Sequence, residues 1–110
     1  MKTLPRVVRH AMAASEYQLS ARRADLIGRR MQYTDLICTD AGAVADLKLR
    51  LADAQSYMHR CFADLVAVEG PRRGETDEQH RDRIAVINLY AARAERAAAT
   101  LRRNGAKKAA

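Results

Sequence analysis

The sequence predicts an all-α protein, an antiparallel helical hairpin extended to a three-helix bundle with coiled-coil-like packing. Three observations carry that expectation. The 110 residues include 22 alanines, with only five glycines and two prolines to interrupt helices. Apolar residues recur at alternating spacings of three and four over long stretches. Between two of those stretches lies AVEGPRRGETDEQ (residues 67–79), which stops one helix and starts another within a few residues. A connection that short makes neighbours run in opposite directions.

SEYQ, at residues 15–18, is a capping box, so a first helix is expected over about 15–38. Leu19, Leu26, Ile27, Met31, Tyr33 and Ile37 would form its apolar face. Residues 1–14 are then an N-terminal segment or short helix. Pro5 suits a first helical turn, so this segment either stands alone or extends the longer helix. CTDAG (residues 38–42) reads as a tight link with Thr39 and Asp40 as caps; one continuous helix through it is the alternative.

The second helix, about 40–69, carries Val44, Leu47, Leu51, Ala54, Met58, Cys61, Leu65 and Val68 in an unbroken three-and-four alternation. Ala45, Leu49, Ala52, Phe62 and Val66 add a strip beside that seam, as a central helix touching neighbours on two sides requires. Gly70 is placed to take positive φ at the helix end, and Pro71 blocks continuation. Thr76 and Gln79 form a capping box for the third helix, about 76–103, with Glu75, Asp77 and Glu78 at the positive end of its dipole. Its seam is His80, Ile84, Ile87, Ala91, Ala94, Ala98 and Leu101, and the two stripes are expected to zip together about Pro71. Val86, Leu89 and Tyr90 lie off that seam. Asn104 and Gly105 suit a stop, leaving residues 105–110 as a disordered basic tail. Residues 15–104 form one bundle domain.

Charge is the strongest compositional signal. The chain is +7 overall, distributed as +4 over residues 1–38, −2 over 39–70 and +5 over 71–110. That order suits an antiparallel stack and leaves positive charge for an anionic partner. A core built largely from alanine, with one Phe and no Trp, buries little area. Self-association, as a homo-oligomer, is therefore expected. No apolar run is long enough to span a membrane, and the N-terminus has no unbroken apolar segment of the signal-peptide kind. With two cysteines and no disulfide framework, the expected compartment is the cytoplasm.

Chemistry is sparse. ARRADLIGRR (residues 21–30) projects Arg22, Arg23, Arg29 and Arg30 into one helical sector, a candidate phosphate-gripping face to which Arg102 and Arg103 would add. The competing reading is a solvated stripe with an Asp25–Arg29 pair. His59, Cys61 and His80 are the only soft-ligand group, but His59 and Cys61 diverge by about 200° on a helix and cannot chelate together. No metal, cofactor or small-molecule substrate is expected. ETDEQHRD (residues 75–82) is explained by its position in the first turns of a helix, so catalysis is not expected. The sequence thus points to a non-enzymatic helical interaction protein, an adaptor, inhibitor or accessory regulator, that meets itself and a macromolecular partner. Leu49, Phe62, Val86, Leu89 and Tyr90 are its expected interface. The alternative is a nucleic-acid-binding accessory protein using the arginine face.

Overall fold

The computed structural model describes residues 4–37 and 40–109, excluding the side chains of residues 35–37 and 106–109. It contains three helices: α1 (Arg6–Ile37), α2 (Ala41–Glu69) and α3 (Asp77–Ala109). They form an all-α three-helix bundle in which α2 is central. α2 packs against α1 on one side and α3 on the other, and among the described residues α1 and α3 do not approach each other. The Cα radius of gyration is 17.4 Å, against about 13 Å for a compact domain of this length. The molecule is therefore elongated and rich in surface.

The helix ends follow local chemistry. Asp40 caps α2, its Oδ1 accepting from the amides of Gly42 at 2.9 Å and Ala43 at 3.4 Å. Gly70 ends α2 at φ 79° and ψ −176°, a region that is essentially closed to other residues. The Thr76–Gln79 capping box is complete. The Thr76 amide donates to Gln79 Oε1 at 2.9 Å, and the Gln79 amide donates to Thr76 Oγ1 at 3.1 Å.

One helix boundary settles an alternative and another departs from expectation. α1 begins at Arg6, so residues 6–14 extend the longer helix rather than standing alone, with the Pro5 carbonyl accepting from the Arg9 amide at 3.0 Å. Once that turn is nucleated, elongation through Ser15 is cheap and its capping box goes unused. Glu16, on the same turn, accepts the Tyr57 hydroxyl at 2.6 Å. At the other end, α3 passes through Asn104 and Gly105 to Ala109, so residues 105–109 are helical rather than a disordered tail. A glycine inside a helix costs only about 1 kcal/mol. The link residues Cys38 and Thr39, and the side chains of Ile37, Lys107 and Lys108, lie outside the described part.

The core shows how α2 serves two neighbours. Its three-and-four seam faces α1: Leu51 and Met58 lie with Ala24 and Gly28, and a Cβ on Gly28 would stand 3.8 Å from Leu51 Cδ1. The strip beside the seam faces α3, where Ala63 and Val66 meet Ile87, with Ile84 and Phe62 packed around them. The expected zipping of the Leu51 seam onto the Ile87 seam is thus corrected, because the two faces of α2 are shared between different partners. On α3, Ala91 and Ala98 are fully buried, and small side chains there permit a close backbone approach. Arg60 clamps the pair, bonding Glu95 through Nε at 3.0 Å and Asn88 through Nη1 at 2.9 Å, while Ser56 donates to the same Glu95 oxygen at 3.2 Å.

Candidate interaction surface

The inner face of α1 is built from modest residues. Ser20 and Ala24 are buried, and Ala13, Tyr17, Ala21, Ile27 and Met31 are half-buried. Tyr17 stacks on Phe62 of α2 with centroids 4.9 Å apart. This arrangement overturns the expected apolar face of α1. Leu19 is 64% exposed, Leu26 55% and Tyr33 64%; of the set's members with described side chains, Ile27 and Met31 turn inward. Met12, Leu19, Leu26 and Tyr33 repeat every seven residues, so they form a single row along the outer side of the helix. Leu4, Val7 and Val8 add apolar surface toward its N-terminus.

The four arginines of α1 flank that row. A seven-residue step returns nearly to the same angle, so Arg22 and Arg29 run along one side and Arg23 and Arg30 along the other. All four are exposed. Arg29 pairs with Asp25 at 3.1 Å; Arg22, Arg23 and Arg30 have no ion pair with a described carboxylate. Between α1 and α2 this surface deepens into an open groove of about 390 Å³, lined by Leu19, Leu26, Ile27 and Leu47 together with Arg22, Arg23, Arg30 and Arg50. The apolar row within the arginine sector is what sequence reasoning missed. Its signal was present as a strict seven-residue repeat of large apolar residues.

The other expected surface residues divide. Val86, Leu89 and Tyr90 are exposed on α3. Tyr90 stacks on His59 of α2, with centroids 5.8 Å apart, and burial holds the His59 imidazole below its ordinary pKa. Phe62 and Leu49 are instead turned partly into the chain. Phe62 is half-buried between Tyr17 and the Val66 cluster, and Leu49 is half-buried near Leu101 at the far end of the α2–α3 contact. Arg102 and Arg103 are exposed on α3, which does not approach α1 among the described residues. Arg102 pairs with Asp53 of α2, and Arg103 donates to Thr100 Oγ1 at 3.3 Å.

The remaining polar groups have structural roles. His80 is buried with Nε2 2.9 Å from the Val66 carbonyl. A carbonyl only accepts, so Nε2 carries the proton and satisfies the last turn of α2, alongside the Gly70 amide. Cys61 is buried with a free thiol. Among the described residues, no three His, Cys, Asp or Glu side chains converge as a metal site would require. Glu75 takes both Nε and Nη2 of Arg83 at 3.0 Å and the Arg72 amide at 3.0 Å. The Arg83 fork, with the amide second, holds the Glu75 carboxyl below the usual range, and the same bond raises Arg83. No described helix is long and apolar enough to cross a membrane. Compared with protein-family models, curated proteins and solved structures, the chain matches none.

Proposed function

We propose that this chain is a small helical interaction protein, without catalysis of its own, that acts by docking another protein. The observation that carries the proposal is the outer row of α1. A chain short of large apolar residues leaves Met12, Leu19, Leu26 and Tyr33 in water while burying Ser20 and Ala24. Large apolar surface bordered by charge is what a protein contact uses. The α3 patch supports self-association. If two copies of α3 crossed antiparallel with Val86 opposite Leu89, Asp82 of one would stand opposite Arg93 of the other, twice over. Such a patch is self-complementary, as a two-fold interface must be.

The test is photo-crosslinking in the native cell, with the crosslinker placed at Leu26, at Leu89 or at Gln55 as a control. Discrete protein adducts at Leu26 or Leu89 and none at Gln55 are expected. Failure to crosslink at both apolar positions would remove the proposal. Sedimentation tests the dimer: an Arg93→Glu change should shift the chain toward monomer, and a wild-type monomer at all concentrations rejects self-association.

A second reading, nucleic-acid binding, is favoured by one observation: Arg22, Arg23 and Arg30 are exposed without a described carboxylate partner. It predicts binding of duplex or single-stranded nucleic acid that weakens with salt at a log–log slope of roughly −0.7 to −0.9 per phosphate neutralised. Absence of retention at low salt discards it.

A further inference from the structure

We infer that the groove between α1 and α2 receives an amphipathic helix of a partner protein that carries carboxylates beside its apolar stripe. The inference rests on the interaction reading above and names the site and chemistry of the contact. The groove is lined by the apolar Leu19, Leu26, Ile27 and Leu47 and by the cationic Arg22, Arg23, Arg30 and Arg50. Two antiparallel helices form its walls, and α3 lies on the other side of α2, so nothing described in the chain covers it. A helix laid along this groove would complete a three-helix packing unit, its side chains interdigitating with a row that repeats every seven residues.

Charge selects among possible occupants. A second copy of α1 would set guanidinium against guanidinium at Arg22, Arg23, Arg29 and Arg30, a like-charge contact that disfavours the pairing. A phosphate backbone would meet the arginines but leave the leucines and Tyr33 facing a charged polymer. A lipid surface needs an apolar face about 100° wide, whereas this row is one residue wide with arginines on both sides. A helix with glutamates or aspartates along both edges of a leucine stripe meets the apolar and the cationic lining together. Of the groove's arginines, Arg50 pairs with Asp46, and Arg29 beside the row pairs with Asp25; both are exposed i,i+4 contacts. Exposed pairs of this kind contribute little, so exchange for partner carboxylates costs little.

The experiment uses the full chain and a labelled synthetic peptide of about three leucine heptads edged with glutamate. Its lysine-edged twin, anionic phosphatidylglycerol vesicles and duplex DNA serve as competitors. The glutamate peptide should bind at least about tenfold tighter than the lysine peptide, and the Arg23→Glu/Arg30→Glu variant should reverse that order. Leu26→Asp should weaken binding of the glutamate peptide about tenfold. The same charge change placed on α3, Arg81→Glu/Arg96→Glu, should leave binding unchanged, and circular dichroism should confirm equal helicity for every variant. Equal binding of both peptides, a preference that survives charge reversal, an equal loss from the α3 control, or displacement by vesicles or DNA at lower concentration than peptide would each overturn the inference. Crosslinks confined to Leu89 would overturn the groove and spare the interaction reading. Crosslinks at neither position would end both.

Discussion

Truncating Leu65 and Leu26 separately distinguishes a leucine that holds the fold from one held ready for a partner. Leu65 is 8% exposed on α2 and Leu26 is 55% exposed on α1. Replacing a fully buried leucine by alanine removes about three methylene equivalents at about 0.8 kcal/mol each and leaves a cavity, so Leu65→Ala should cost about 2–5 kcal/mol. Little more than two fifths of Leu26 is withdrawn from water, and alanine is the better helix former. Leu26→Ala should therefore cost no more than about 1 kcal/mol. In thermal unfolding followed by circular dichroism, about 4–8 °C accompanies each kcal/mol in a domain of this size. Leu65→Ala should then lower Tm by at least about 8 °C, while Leu26→Ala moves it by a few degrees and weakens capture of the acidic peptide. Equal losses of Tm would show that Leu26 is packed inside the chain and would refute the reasoning.

Two glycines should respond oppositely to alanine. Gly70→Ala forces a side chain onto φ 79° and should cost about 1–3 kcal/mol. Gly28→Ala meets only Leu51 Cδ1 at 3.8 Å and should stabilise by about 0.5–1 kcal/mol; urea midpoints check both. Because Arg83 lowers the Glu75 carboxyl, stability from that pair is full above the usual glutamate value and is lost as pH falls through the folded one. Glu75→Gln should therefore melt below wild type at neutral pH and converge with it in acid, and a gap that persists in acid refutes this. Tyr57, bonded to Glu16, is pushed up to about 12, so its contribution is complete below the ordinary tyrosine value and lost as pH rises through about 12. In tyrosinate absorbance, Tyr57→Phe should remove the last-titrating phenol, and Glu16→Gln should bring it back toward 10.0.

What could be read in the sequence was what short-range chemistry decides. The Thr76–Gln79 box, the Asp40 cap and the Gly70 terminus each depend on groups within a few residues, and each stands where its spacing places it. The central role of α2 was also legible, since its two apolar strips predict two neighbours. The inner face of α1 was not. It packs through Ser20, Ala24 and Gly28, which carry little weight in a hydrophobic pattern but let backbones approach. The larger Leu19, Leu26 and Tyr33 therefore read as core although they face water. The start of α1 was legible only as one of two alternatives, because a capping box marks where a helix can begin and not where an earlier turn has already done so. The candidate site was half legible: the arginine sector is a local pattern, whereas its apolar row becomes a surface only once α2 has taken the opposite side of α1.

The most direct test of the account is solvent paramagnetic relaxation of the methyl groups in the free chain at dilution. A soluble paramagnetic agent should broaden the Leu19 and Leu26 methyl signals strongly and leave those of Leu65 and Val66 sharp, since Val66 is 1% exposed. Protection of Leu19 and Leu26 equal to that of Leu65 would mean that the chain covers its own α1 row, and the proposed docking face would not exist.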